Sequence, residues 1–347
     1  MPGKKVKSGM KDIANRLNIS VTTVGRAFSN ATDISPATKE RIFKLAKELD
    51  YRPNLNARAL VQQKTSTLGL VICNVSNPIM EGVIRDVEDS VSKEGYRLNL
   101  AISHGEPKRE RDIVNDMLCR RIDGVIIHPH CLEGRSEAVE SLLETKTPTV
   151  VLGNYTHSAV SQVGMDLFTA GYEITSHLLD LGHKKIACIN ELPGDPRFKG
   201  YIKACEERSI IIDDELSYYL PVRARSGIDI CRDIIEKKST AVFAISDALA
   251  ATILEGFKLL GIKVPDDIAL AGCGNDRYSS VMGPSLTSYG FPYHNLPRHL
   301  TNFILEKIDY PESTIRSAVL IGKLIPREST LGIGTPLIHT DQTKPNF

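Results

Sequence analysis

The sequence predicts a small all-α N-terminal domain with a helix-turn-helix, followed by a larger α/β region of two doubly wound parallel-sheet subdomains. Three observations predict it. Residues 10–28 read as two short amphipathic helices around a tight turn. From Thr65 onward, short apolar β-rich runs alternate with longer helical patterns, in two sets. Charge is also split along the chain: residues 1–64 hold 13 Lys/Arg and 5 Asp/Glu, a net of +8, whereas the remainder holds 30 and 37, a net of −7. A compact basic end on an acidic body suggests a polyanion-binding module.

The head follows from apolar spacing and caps. Met10–Leu17 puts Ile13, Ala14 and Leu17 on one helical face. Asn18 suits the turn because it tolerates a left-handed backbone. Ser20 is a natural N-cap for a second helix, in which Val24, Ala27 and Phe28 share a face. Val21, Thr22, Gly25, Arg26 and Ser29 then face outward. A third helix starts with Ser35 as cap and Pro36 in its first position; Ile42, Leu45, Ala46 and Leu49 form its apolar face. Each helix is too short to be stable alone, and together they cover one small core. An outward helix with short side chains near its start fits the DNA major groove. A threonine there can hydrogen-bond a base edge or touch a thymine methyl, and Arg26 can reach a guanine or a phosphate.

Here the sequence resembles the LacI/GalR family of bacterial transcription regulators, on MKDIANRLNISVTTVGRAFSN, ISPATKERIFKLAKELDYRPN and ARAL. The resemblance implies that Val21 and Thr22 choose the base sequence, while Thr23, Arg26 and Asn30 hold the duplex. Gly25 stands where the family usually has serine, and Asn18 where glycine is common. The head is assigned to residues 9–52 and a hinge to 53–64. In the family the matching hinge folds over the minor groove, where a leucine wedges between base pairs. The match is Leu60, with Ala57 small beside it and Arg58 near phosphate. A flexible linker is the alternative, and the expected state without DNA.

The body, 65–340, holds the runs LGLVIC (68–73), YRLNLAIS (96–103), DGVIIH (123–128) and TPTVVLG (147–153). The second set is KKIACIN (184–190), TAVFAIS (240–246) and DIALAGC (267–273). Near-continuous apolar strands with helical crossovers mean parallel sheets covered on both faces. The sets divide near residue 164. LTSYGF (286–291), a helical 294–308 and SAVLIGKLI (317–325) complete the region. In the family these segments return across a cleft. The first subdomain is therefore expected to be 66–164 plus 290–316, and the second 165–289 plus 317–340. Ligands of such sheets bind at the carboxyl ends of the strands.

The body resembles the same family in HLLDLGHKKIACI, DPRFKGYIKAC, AVFAISDALAATILEGFKLLGIKVPDDIALAGCGND and PSLTS. This implies a periplasmic-binding-protein-like core that binds a small effector, commonly a sugar or purine. Carried over by position, Arg197 would fork onto effector oxygens. Asp247, after Ser246, would accept hydroxyl hydrogens, and Asn275 would do so more weakly. The alternative is an Arg197–Asp247 pair across the cleft. Several positions depart from the family's pattern. Asn77-Pro78-Ile79-Met80 stands where aromatics are frequent, Ser246 replaces a common asparagine, and Phe291 sits where a polar amide is common. Gly153-Asn154 replaces a frequent acid–base pair. Asn77 and Phe291 complete the candidate effector set. The pocket reads as less aromatic and less acidic than a hexose site, so another small polar metabolite, or no effector, stays open beside a sugar.

Other chemistry finds little support. There is no GxSxG and no phosphate-cradling GxxxxGK[ST], and AGCGND (271–276) lacks the rest of a dinucleotide pattern. No cofactor is expected. His128, His130 and Cys131 lack a second ligand pair at zinc spacing, which favours a cleft-edge loop over a metal site. Gly182 and His183 read as the end of a helix. Seven scattered cysteines without CxxC read as reduced thiols of a cytosolic protein. No apolar run approaches the ~20 residues of a membrane span. The last residues carry no leucine heptad, so a homodimer on a roughly palindromic operator in double-stranded DNA is the expected assembly. A solute-binding protein and an enzyme on the same core are the rival readings.

Overall fold

A computed structural model describes residues 9–28, 32–51, 64–75, 78–129, 135–156, 160–191, 193–220 and 227–332. The chain divides into two compact units, Met1–Ser66 and Thr67–Phe347.

The first unit contains α1 (Met10–Leu17), α2 (Val21–Phe28) and α3 (Pro36–Glu48). Asn18 ends α1 in the left-handed region, at φ 52°. The Ile19 amide returns to the Ala14 carbonyl at 3.0 Å, which sets the tight turn. Ser20 Oγ then accepts the Thr23 amide at 2.9 Å, and Ser35 Oγ accepts the Thr38 amide at 3.2 Å. These two caps satisfy amides that helix geometry leaves without partners. Ile13, Ala14, Val24, Ala27, Ile42 and Ala46 form the buried core. Phe28 closes its edge, with ring centroids 5.4 Å from Phe43 and 5.5 Å from Tyr51.

The second unit has two lobes. In chain order the elements are β1 (Thr67–Ile72), α4 (Pro78–Lys93), β2 (Arg97–Ile102), α5 (Pro107–Cys119), β3 (Gly124–His128), α6 (Glu137–Glu144), β4 (Thr149–Leu152) and β5 (Ser161–Met165). The chain then enters the second lobe with α7 (Leu167–Asp180), β6 (Ile186–Asn190), α8 (Pro196–Glu207), β7 (Ser217–Tyr219), α9 (Ile228–Glu236), β8 (Ala241–Ala244), α10 (Asp247–Leu259), β9 (Ala269–Gly274) and β10 (Thr287–Gly290). It closes with α11 (Leu296–Asp309), β11 (Ser317–Leu320), β12 (Lys323–Ile325) and α12 (Glu328–Leu331).

The first sheet has the order β11-β5-β4-β3-β1-β2 and is parallel throughout. The second has the order β12-β10-β9-β8-β6-β7, parallel except for the antiparallel edge pair β10–β12. Burial explains the near-continuous apolar runs: β3, β4, β6, β8 and β9 are buried over almost their whole length. One expected boundary is corrected. SAVLIGKLI is two strands in two sheets, because Ser317–Leu320 pairs with β5 of the first lobe and Lys323–Ile325 with β10 of the second. The last crossing therefore falls at Ile321–Gly322 rather than at 317. Gly322 makes that crossing possible, since a Cβ there would lie 2.3 Å from the Gly290 carbonyl oxygen. Among the described residues, no helix is long and apolar enough to cross a membrane.

Candidate DNA interface and effector cleft

On α2, Val24 and Ala27 are fully buried, while Val21, Thr22 and Arg26 are exposed. Val21 is 39% exposed, an apolar side chain presented to solvent with no role in the head's core. Thr23 is partly turned inward, and its hydroxyl lies 2.8 Å from Ser20 Oγ at the cap. Arg26 forms an ion pair with Asp33 at 2.7 Å, both groups about half exposed. An exposed pair of this kind is weakly held and can be exchanged for a phosphate or a base. Asn30, Ala57, Arg58 and Leu60 lie outside the described residues.

The cleft lies where the carboxyl ends of the two sheets approach. Its rim is marked by Arg277 Nη2, 3.0 Å from Glu81 Oε2 on α4. Deeper, Gly274 ends β9 at φ +130°, and a Cβ there would come 3.0 Å from Ile79 Cδ1. The backbone of one lobe thus touches a side chain of the other.

Arg197 is in the first turn of α8, and Asp195 is that helix's N-cap. Asp195 accepts the Arg197 amide at 2.8 Å and holds the guanidinium bidentately, Nε at 2.9 Å and Nη2 at 2.7 Å. Nη1 donates to the Ile245 carbonyl at 2.6 Å. Burial opposes the guanidinium's charge, but the Asp195 carboxylate outweighs it and the group is held protonated. Burial likewise opposes ionisation of Asp195, and Arg197 outweighs it, so that carboxyl sits below its ordinary range.

Ser246 caps α10, accepting the Leu249 amide at 3.3 Å. Asp247 is 2% exposed. Its Oδ1 accepts Ser288 Oγ–H at 2.6 Å; its Oδ2 accepts Ser279 Oγ–H at 2.7 Å and the Asp276 amide at 2.8 Å. Burial pushes the Asp247 carboxyl up despite these donors. Asn275 adopts φ +50°, donates its amide to Ser288 Oγ at 2.9 Å, and accepts Arg327 Nη2 on its side-chain oxygen at 2.6 Å. Phe291 is buried between Tyr289 and Tyr293 with edge-on contacts at 5.1 and 5.8 Å. Asn77 lies outside the described residues.

Arg197, Ser246, Asp247, Asn275 and Phe291 therefore gather at the carboxyl ends of β8, β9 and β10. The expected alternative, an Arg197–Asp247 ion pair, is absent among the described residues: Arg197 is taken by Asp195, and Asp247 by two serines and an amide. Sequence reasoning missed Asp195, although Asp-Pro-Arg at a helix start is a legible cap signal. It also missed Tyr293, whose burial raises its hydroxyl well above the ordinary range near Cys273, Asp247 and Arg197. On the first lobe, Cys73 and His128 meet at neighbouring strand ends, Sγ to Nδ1 3.1 Å. Burial lowers His128 to about 4, so its ring is neutral. His130 and Cys131 lie outside the described residues, and no group of three metal-ligating side chains occurs among the described ones.

A three-helix head with an exposed second helix, in the same chain as a two-lobed α/β core, defines the class: a helix-turn-helix regulator built on a binding-protein fold. Residues 9–54 match the family of bacterial regulatory proteins, lacI family, and residues 175–330 match a periplasmic binding protein-like domain. The HTH-type transcriptional regulator DegA of Bacillus subtilis (strain 168) is 28% identical over 305 residues, covering 85% of this chain and 90% of DegA. The structure of the lac repressor dimer bound to operator and the anti-inducer ONPF is 19% identical with a TM-score of 0.82, covering 93% of this chain and 99% of that one. A LacI family transcriptional regulator from Enterococcus faecium with bound ribose is 25% identical with a TM-score of 0.66, covering 76% of this chain and 98% of that one. The chain thus carries a LacI-family helix-turn-helix domain and a periplasmic-binding-protein-like domain, and the curated proteins it resembles are regulators of that family.

Proposed function

We propose that this chain is a cytoplasmic repressor that binds operator DNA as a homodimer and takes a small effector in the core cleft. It performs no catalysis in this reading. The observation that carries it is the outward face of α2, where Val21, Thr22 and Arg26 are exposed while Val24, Ala27 and Phe28 serve the core. Val21 and Thr22 read base edges, Thr23 and Asn30 position the backbone, and Arg26 leaves Asp33 for DNA. Ala57, Arg58 and Leu60 act in the minor groove. Arg197, Ser246, Asp247, Asn275, Phe291 and Asn77 line or support the effector site. The ribose-bound Enterococcus relative favours a sugar. A second reading, a regulator with a non-sugar effector or none, is favoured by one observation: Asp247 and Asn275 already have their hydrogen bonds within the protein.

The test is fluorescence anisotropy of the full chain on DNA from upstream of its own gene, over a range of salt. Wild type binds one segment with a steep salt dependence, as phosphate contacts require. Thr22→Ala changes the preferred base at one position per half-site, where a direct contact contributes about 1–3 kcal/mol of discrimination. Arg26→Ala weakens binding. A Val21→Ala/Thr22→Ala/Arg26→Ala variant that binds the same segment equally well would overturn the assignment.

A further inference from the structure

Two features of α2 have no explanation within the head, and a single group on DNA accounts for both, provided that the outward face of this helix reads DNA as proposed above. The first is Val21, an apolar side chain left 39% exposed at the start of the helix. The second is Gly25, a mid-helix glycine outside the left-handed region, which costs the helix stability relative to alanine. An added Cβ at Gly25 would meet nothing closer than the Met10 sulfur at 3.9 Å, so no neighbour in the head requires the missing side chain. Where neither φ nor packing asks for glycine, its remaining physical use is the close approach of a ligand to the backbone.

The two residues are neighbours. Helix geometry places Gly25 four residues after Val21 and three after Thr22, on the same outward face. The missing side chain leaves a notch one methyl deep in that face. Its surroundings are apolar: Val21 stands one turn before it, and the Met10 thioether lies beside it. The adjacent cation, Arg26, is engaged with Asp33 at 2.7 Å. A phosphate entering the notch would find no side-chain donor on Gly25, whereas an apolar group would be shielded from water by Val21 and Met10. The N-terminal part of a recognition helix lies against base edges, and the apolar group that the major groove presents there is the C5-methyl of thymine.

We infer that Gly25 is a specificity-determining residue: its missing side chain forms, with Val21, a notch that receives the C5-methyl group of one thymine in each operator half-site. That thymine is chosen by shape and exclusion of water rather than by a hydrogen bond.

The test exchanges a methyl group between protein and DNA. The DNA is the segment upstream of the chain's own gene, made with deoxyuridine in place of one thymine at a time; deoxyuridine pairs as thymidine does and lacks only the methyl. Fluorescence anisotropy of the full wild-type chain shows one position per half-site at which uracil weakens binding about fourfold, the effect of returning one methyl group to water. Gly25→Ala fills the notch from the protein side. It binds the thymine duplex more weakly than wild type does and, at that same position, prefers uracil. Stabilisation of the head by alanine would raise affinity for both duplexes alike, so it cannot reverse the preference. Gly25→Ala that changes affinity for thymine and uracil duplexes by the same factor overturns the notch. Wild type indifferent to uracil at every position overturns the thymine assignment and leaves α2 as the reading surface if the segment still outcompetes random sequence. Wild type that binds all sequences equally removes the DNA-reading assignment, and this inference with it.

Discussion

At the residue scale, several groups that a sequence marks as ligand contacts hold the protein itself together. Asp247 is the clearest case. It is buried at the start of α10, and three donors from the segment 276–288 converge on it. In Asp247→Ala those donors lose their acceptor in a buried site, at roughly 1–3 kcal/mol for each one left without a partner. A total loss of about 3 kcal/mol is expected as a fall in urea midpoint, because Ser279 retains a second acceptor in Asp276 at 3.3 Å. A loss below about 1 kcal/mol would mean that Asp247 is available to ligand after all. His128 makes the pH counterpart. Its folded value is lowered to about 4 from 6.5, so the unfolded chain takes the proton first as pH falls. The neutral ring thus adds no penalty above 6.5, and stability declines as pH drops from about 6.5 toward 4. The slope is at most about 1.4 kcal/mol per pH unit, and less for a half-buried ring. His177 and His183, also lowered by burial, act in the same direction, whereas Asp247 and Glu191, raised by burial, act oppositely. The contribution of His128 is therefore read as a difference: His128→Gln should show a shallower decline than wild type between pH 6.5 and 5 in chemical denaturation.

At the element scale, α2 carries a residue that neither packing nor backbone explains. Gly25 sits in mid-helix, its φ is not positive, and the nearest atom to an added Cβ is Met10 Sγ at 3.9 Å. Gly25→Ala should therefore stabilise the head by about 0.5–1 kcal/mol, as greater hydrogen-exchange protection of α1–α3 amides. Unchanged or reduced protection would show that the helix needs glycine. The same element shows why the head was legible in sequence: its caps, its left-handed Asn18 and its 3.6-residue apolar spacing are all local. Apolar β runs were legible for the same reason. β5 was missed because SQVGM has polar residues and a glycine, and its burial comes from β4 and β11, far away in sequence. SAVLIGKLI was read as one run because no local signal reports that Gly322 turns the chain from one sheet into the other. The candidate effector residues were carried over by position from the family resemblance, and the fold gathers the described ones at the strand ends. Their partners were not, since Asp247–Ser288 and Arg327–Asn275 span 41 and 52 residues.

At the scale of the whole core, two lobes joined by three crossings form a hinged pair, and what bridges the cleft sets how far it opens. Two bridges are present. Ile79 against Gly274 is apolar and lies within; Glu81–Arg277 is ionic and lies on the rim. The apolar contact is retained only when the lobes are close, because it depends on contact distance. The ion pair acts over a longer range but weakens with salt. Arg277 also rests over the Tyr278 ring at 4.9 Å, a second contact for the same guanidinium. Removing either charge should shift the equilibrium toward open lobes without unfolding the core, since both side chains are 59% exposed. Glu81→Gln and Arg277→Gln are thus each expected to lengthen a fluorescence-derived distance between labels on the two lobes, and the lengthening should shrink as salt rises. The exchanged pair Glu81→Arg/Arg277→Glu restores the wild-type distance if the interaction is the attraction of opposite charges, because the swap preserves the attraction and reverses only its sense. An exchanged pair as open as the single variants would show that closure depends on the Ile79–Gly274 contact alone.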